Sequence, residues 1–237
     1  RYCIDCGVQA GEWISKHKLN IGWIGENGPQ DLEYEKTFFP FILISKKRYT
    51  GDKYELDIEG VFSASWSPKG NEIAYVGQSG NSSDIYIFDL KSQTSRKITD
   101  DIFSDAYPTW SGDGKNIAFV SDRGNKISGE YDGFMYEHDY SQTDIYSINV
   151  ETKKIHRITK TDYNESHPVW SKTSDNIFYT SDHNGVWNLY RHPIFGSEDS
   201  EPIPVTNVLT GLQQPTISGD DRLLIFAGYS GIGWDLY

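Results

Sequence analysis

Pro108-Thr109-Trp110-Ser111-Gly112-Asp113-Gly114 leads into Ile117-Ala118-Phe119-Val120-Ser121-Asp122 and, after an interruption, into Asp144-Ile145-Tyr146. Three other stretches share this plan. Ser65-Trp66-Ser67-Pro68-Lys69-Gly70 precedes Glu72-Ile73-Ala74-Tyr75-Val76 and Asp84-Ile85-Tyr86. Pro168-Val169-Trp170-Ser171 precedes Ile177-Phe178-Tyr179-Thr180-Ser181-Asp182 and Asn188-Leu189-Tyr190. Pro215-Thr216-Ile217-Ser218-Gly219-Asp220 precedes Leu224-Ile225-Phe226 and Asp235-Leu236-Tyr237. The spacing is stronger evidence than the letters. Trp66 to Asp84, Trp170 to Asn188 and Ile217 to Asp235 each span 18 residues, and Trp110 to Asp144 spans 34, which is 18 plus an insertion of 16. A threonine closes each complete unit, 13 residues after Tyr86, 13 after Tyr146 and 16 after Tyr190. Thr99, Thr159 and Thr206 each lie 11 residues before the next Trp110, Trp170 or Ile217.

Each unit reads as four short strands separated by turns. Ser67 to Gly70 and Ser111 to Gly114 are hairpin turns, with glycine supplying a positive φ. Ile73–Val76 and Ile117–Val120 are short apolar runs, the pattern of strands buried on both faces. Asp84 to Phe88 alternates more and is expected to be less buried. Arg96–Thr99 and His156–Thr159 are polar and belong outermost. Four strands of graded burial repeating at about 44 residues are the pattern of a β-propeller blade. The expected fold is therefore all-β: a β-propeller of four-stranded blades, an incomplete ring with about four to five blades of about six present. The blades run 61–104, 105–164, 165–211 and 212–237, the last lacking its outer strand. Trp66, Trp110 and Trp170 are expected to pack between blades.

Composition agrees with a β-rich chain. The 237 residues include 16 Tyr, 11 Phe, 7 Trp and 22 Gly but a single Met, and aromatic residues favour strands. The 22 Lys and Arg against 34 Asp and Glu give a net charge of −12. No basic stripe is present to neutralise phosphates, which argues against nucleic acid and against an anionic membrane surface. No apolar run approaches the roughly 20 residues of a membrane span.

At these repeats the sequence resembles the TolB-like β-propeller repeat family, with its Pro-x-Trp-Ser-Pro-Asp-Gly core, Ile-Ala-Phe strand and Ser-Asp-Arg turn. Pro108–Gly114, Ile117–Phe119 and Ser121-Asp122-Arg123-Gly124 match most fully. The resemblance covers about residues 61–237. Asn188–Tyr190 and Val205–Gly211 also look like the propeller portion of large bacterial secreted or periplasmic proteins. Lys69, Gly112 and the Lys172-Thr173-Ser174-Asp175 turn depart from the pattern. The resemblance implies a periplasmic or secreted bacterial setting, binding to other proteins, and no single reaction.

Residues 1–60 stand outside the repeat, as a decayed blade or a linker. Phe38–Ile44 and Lys53–Ile58 read as strands, and Gly11–Lys18 as a short helix. Cys3 and Cys6 form a lone C-x-x-C that fits a local disulfide, inert thiols, half of a site completed elsewhere, or redox or metal chemistry. Arg1 follows no start Met or signal peptide, and Trp234–Tyr237 reads as mid-strand, so the expectation is a piece of a longer protein.

Two places are candidates for binding. Three residues before each Trp or its Ile counterpart lie Ser63, Tyr107, His167 and Gln214, on the strand that lines a propeller's channel. They are either solvated channel residues or a channel-mouth site for a ligand or peptide, and His167 is a potential metal ligand. The insertion carries Glu130, Tyr131, Phe134, Tyr136, His138 and Asp139. This acidic, aromatic loop is either a plain excursion, a partner contact or a metal site, although it lacks the calcium-loop spacing. Gly228-Tyr229-Ser230-Gly231 lacks the final glycine of a nucleophile elbow, and no His-Glu-x-x-His occurs. The reading is a non-catalytic scaffold with no catalytic residue, cofactor or metal of its own, whose partner is another protein or another domain of the same polypeptide. The alternatives are the propeller of a larger peptidase and, third, a channel-metal lyase.

Overall fold

The computed structural model describes residues 18–20, 33–39, 42–48, 53–56, 58–80, 82–127, 138–173, 175–194, 200–231 and 233–237. Among these the regular structure is entirely strand. The first blade is the antiparallel meander β5 (Gly60–Trp66), β6 (Glu72–Ser79), β7 (Ser82–Asp89) and β8 (Thr94–Lys97). The second is β9 (Asp105–Trp110), β10 (Asn116–Ser121), β11 (Asp144–Asn149) and β12 (Ile155–Arg157). The third is β13 (Glu165–Trp170), β14 (Asn176–Ser181), β15 (Asn188–Pro193) and β16 (Ile203–Pro204). The fourth sheet has three strands, β17 (Leu212–Ile217), β18 (Leu224–Ser230) and β19 (Gly233–Leu236). The first strands of successive blades lie against one another, β5 on β9, β9 on β13 and β13 on β17. The architecture is a β-propeller.

Before the blades, β1 (Lys18–Asn20) pairs with β4 (Lys53–Glu55), and β2 (Glu33–Phe39) pairs with β3 (Ile42–Arg48). The run Phe38–Ile44 is thus two strands of a hairpin with Phe39 opposite Ile42, rather than one strand. Pro40 lies between them, and proline has no N–H to give a ladder. Of the helix expected at Gly11–Lys18, Lys18 opens β1 and the remaining positions lie outside the described residues.

The fixed intervals of the repeat have direct physical causes. In the first two blades the turn serine accepts a backbone bond with its side chain. Ser67 Oγ takes the N–H of Glu72 at 3.1 Å and Ser111 Oγ that of Asn116 at 3.0 Å. Gly70 and Gly114 have φ of 69° and 70°, which lets their N–H groups close back on Ser67 and Ser111. The closing threonine takes the N–H of the residue after the Asp or Asn of the third strand. Thr99 Oγ1 accepts from Ile85, Thr159 Oγ1 from Ile145 and Thr206 Oγ1 from Leu189, each at 2.9 Å. Asp122 and Asp182 tie the end of the second strand to the entry of their own blade by accepting from the N–H of Ser104 and Asn164.

The third blade shows what happens when a turn loses its aspartate. In the second blade Asp113 accepts from Ser111 Oγ and Lys115 N. The third turn has no aspartate in that place, and Asp221 of the fourth blade fills the role. Its carboxylate accepts from Ser171 Oγ at 2.6 Å, Thr173 Oγ1 at 2.6 Å, Lys172 N at 2.8 Å and Thr173 N at 2.9 Å. These donors hold the Asp221 carboxyl down at about 2.

The core lies between blades. Along a strand successive side chains point to opposite faces, so each blade is apolar on both. Val76, Ile85 and Ile87 of the first blade meet Trp110, Ile117, Phe119 and Tyr146 of the second. Val120, Ile145 and Ile158, on the other face, meet Trp170, Ile177, Tyr179 and Tyr190 of the third. The third strand of the first blade is somewhat less buried than the second, as expected: Ile85 and Ile87 are fully enclosed, but Tyr86 between them is only half-buried, whereas Ile73–Val76 are all buried. Trp110 and Trp170 are buried and donate Nε1–H across the blade boundary, to Ser65 O at 3.2 Å and Thr109 O at 2.9 Å.

Buried charge differs from blade to blade at one position, the start of the inner strand. Asp105 is fully buried and meets Arg123, Oδ1 to Nη2, at 2.7 Å, while Arg123 Nη1 reaches Asp101 at 3.0 Å. Burial pushes Asp105 up to about 6 against the pull of Arg123. The equivalent Glu165 is also buried, but the residue in place of Arg123 is His183. Its carboxyl bonds Thr159 and Thr161, and burial raises it to about 8.

Trp110→Ala should cost about 3–5 kcal/mol in urea titration, because it empties a blade boundary and strands a carbonyl. A loss below about 1 kcal/mol would remove Trp110 from that role. Asp221→Ala should cost about 1 kcal/mol, the discount reflecting its exposure. The pH dependence of the Asp221 contribution follows from its depressed pKa: it is present above about 4 and fades as pH falls towards 2. For Glu165 the sign is opposite. Between about 4.5 and 8 the folded chain binds a proton that the unfolded chain has lost, so stability falls as pH rises. Glu165→Gln should flatten the dependence of the urea midpoint between pH 5 and 8, where one proton contributes at most about 1.4 kcal/mol per pH unit.

Candidate functional site

Ser63, Tyr107, His167 and Gln214 occupy equivalent places in four consecutive inner strands. Each has a positive φ, 21°, 51°, 48° and 53° respectively. At each the ladder shifts register, between Phe62 and Ala64, across Ala106–Thr109, between Ser166 and Val169, and between Gln213 and Thr216. These are β-bulges. Residues with side chains enter this region at some strain, of order 1–3 kcal/mol each. Proline at 108, 168 and 215 follows three of them.

The side chains interact across the blade boundary. The rings of Tyr107 and His167 lie with centroids 4.1 Å apart at 33°. His167 is half-buried, its Nδ1 has no hydrogen-bond partner among the described residues, and burial lowers it to about 4. It is a neutral imidazole at pH 7. Tyr107 is 39% exposed. Among the described residues no three His, Cys, Asp or Glu side chains converge as metal ligands, and His167 stands apart from other such groups.

Beside Tyr107 a cleft of about 420 Å³ opens between the first two blades. Ser63 and Tyr107 line it, and the sequence reading did not foresee the rest: Phe62, Gln78, Ser82, Ser83 and Ser104. Position in the repeat could have located them. Phe62 precedes a bulge, and the polar run Gln78–Ser83 forms the hairpin end that faces the same way. Phe62 is 52% exposed. Ser83 Oγ donates to Asp105 O at 3.0 Å, which stitches the two blades together at the floor.

Of the insertion, Glu130, Tyr131, Phe134 and Tyr136 lie outside the described residues, and so do Cys3 and Cys6. His138 and Asp139 sit at its base. The His138 ring is only 10% exposed, packs on Phe103 and Tyr140 and meets Asp122 at 3.2 Å through Nε2. Asp139 accepts from Ser141 N and Oγ, closing the turn back into the blade. His138 thus holds the base of the insertion to the strand-end aspartate, and Asp139 caps the turn that follows.

Comparison with known proteins follows the same lines. Residues 45–128 match the family model described as TolB beta propeller domain. The fold resembles a TolB structure from Agrobacterium tumefaciens at TM-score 0.63 and 20% identity, covering 81% of this chain and 65% of that one. It resembles TolB from Acinetobacter baumannii at TM-score 0.59 and 21% identity, covering 82% and 45%. A puromycin hydrolase matches at TM-score 0.54 and 12% identity, covering 80% of this chain and 28% of the hydrolase. A DNA polymerase from Pyramimonas orientalis virus is 47% identical over 55 residues, 23% of this chain and 4% of the polymerase. The chain thus spans only part of each of these proteins. The match to the TolB beta propeller model falls on residues 45–128, and across the described blades the likeness to the TolB structures is one of fold.

Proposed function

We propose that the chain is a non-catalytic β-propeller scaffold that mediates protein–protein interaction in an exported bacterial protein, periplasmic or secreted. The row of Ser63, Tyr107, His167 and Gln214 carries this reading. Four successive inner strands accept a strained backbone at the same step, each at a polar or amphipathic residue. Strain of this kind clusters at binding and switch regions. The insertion supplies the second contact. It leaves the blade beside Arg123 and returns at His138, and it is rich in aromatic rings and carboxylates, which select a basic partner surface. The two TolB likenesses support an extracytoplasmic setting. The 55-residue likeness to a viral polymerase amounts to 4% of that protein and brings no activity into this reading.

A second reading has its own support. The likeness to puromycin hydrolase involves 28% of that chain. On this reading the blades are the propeller of a larger peptidase, and the partner surface is the catalytic domain of the same polypeptide.

The test compares the intact polypeptide with one in which 128–137 is replaced by Gly-Ser, so that His138 keeps its hold on Asp122. A partner recovered from the periplasmic or secreted fraction of the source organism by the intact chain should bind the replacement at least about tenfold more weakly, a change of about 1.4 kcal/mol. The thermal midpoint should not move. Recovery of a peptidase domain from the same gene would favour the second reading. Equal binding by both forms would sink the insertion as a contact, and equal binding by His167→Ala would then remove the channel mouth as well.

A further inference from the structure

We infer that the cleft between the first two blades is a binding site for a neutral saccharide. Its volume of about 420 Å³ falls in the range of small-ligand sites, roughly 300–1,000 Å³. The walls decide the chemistry.

Ser63, Ser82, Ser104 and Tyr107 line the cleft beside the apolar Val76 and Ala106, and their hydroxyls have no protein partner among the described residues. Gln78 adds an amide that is held only by a 3.4 Å bond to Gly80 O. Hydroxyls both donate and accept, so such a wall suits a ligand whose own groups also do both. A sugar hydroxyl is that group. Phe62 and Tyr107 are 52% and 39% exposed on the same cleft. Exposed rings offer apolar faces to the C–H side of a pyranose, while the hydroxyls take its rim.

Charge narrows the class. The only acidic or basic side chain on the wall is Asp105, whose carboxylate is fully buried against Arg123 at 2.7 Å. The wall therefore offers no net charge to an anion or a cation. The chain's charge of −12 repels an acidic polysaccharide.

The rings are also fixed in place, which lowers the entropy lost on binding. Tyr107 is set by its left-handed backbone and by the His167 ring 4.1 Å behind it. The Phe62 ring lies over Gly60, where an added Cβ would come within 3.2 Å of it. Gly60 thus permits the position that Phe62 takes.

The experiment uses the whole polypeptide and three neutral probes, cellohexaose, maltohexaose and chitohexaose, followed by saturation-transfer NMR and calorimetry. A hexagalacturonate and a hexaglycine peptide serve as competitors. At least one neutral hexasaccharide should bind with a Kd below about 1 mM. Tyr107→Gly, which accepts the positive φ without strain, should weaken binding at least about tenfold. Ser82→Val, on an exposed hairpin end, should weaken it without altering the thermal midpoint, so the inference stays testable if Tyr107→Gly folds poorly. Absence of binding by all three neutral probes at about 10 mM would overturn the inference. So would binding that survives both substitutions, or tighter binding by the acidic hexamer or the peptide.

Discussion

A blade of this propeller cannot be covered by its own chain segment. Its middle strands alternate apolar side chains between two faces, and each face needs a neighbouring sheet. Ile117 and Phe119 look back at the first blade while Ala118 and Val120 look forward to the third. Burial of that kind contributes roughly 25 cal/mol per Å² of apolar surface, and it is available only when blades stand side by side. The Trp110 and Trp170 indoles then fix the angle between sheets. Each fills the boundary and spends its N–H on a carbonyl of the preceding inner strand. The turns, caps and bulges are adjustments that let the same stacking recur.

The fourth sheet shows the dependence from the other side. Leu236 stands where Ile145 stands two blades earlier, and it is 76% exposed where Ile145 is fully buried. Ile217 replaces the tryptophan and has no N–H to donate. This sheet instead reaches back with Asp221, whose carboxylate gathers four donors from the turn of the third blade. An ionic clasp at the rim takes over part of the work that an indole does in the interior. Because it is half-exposed and acidic, it is sensitive to pH and salt in a way that Trp110 is not.

The fold was legible because a repeat turns weak local signals into one strong interval. The turn serine and the closing threonine each correspond to a specific hydrogen bond, so sequence spacing and structure report the same constraint. The inner-strand positions were legible for the same reason: counting three residues back from the tryptophan lands on a bulge every time. What spacing could not reveal was how those positions are used. The positive φ at Tyr107 and His167 is unexpected for residues before proline, which favours extended backbone. The cleft was hidden too, because its walls come from two blades and its residues, serines and a glutamine, are ordinary surface types in isolation. The lower burial of Asp84 to Phe88 was legible from its alternation, with Tyr86 half-buried between enclosed neighbours.

Repetition also shows where the chain is free to differ. Five residues before each tryptophan or its isoleucine counterpart, near the start of the inner strand, stand Val61, Asp105, Glu165 and Leu212 in turn. In the second blade a buried arginine answers the carboxylate. In the third the answering residue is His183, which packs its ring on Tyr163 at 4.2 Å, and the carboxyl is left to threonine hydroxyls and raised by burial. In the first and fourth the position is aliphatic. Strand pairing tolerates all four, since the backbone ladder runs past this position whatever its side chain. Stacking therefore leaves this position open to divergence even though it is buried in all four blades. Constant interior and variable inner ends divide the labour within one repeat: the tryptophan boundary holds the blades, and the residues around each bulge give each blade its own chemistry. Tyr107 shows both halves of that division at once. Its backbone follows the repeat, while its ring, propped by a neighbouring histidine, lies at a boundary where a cleft opens.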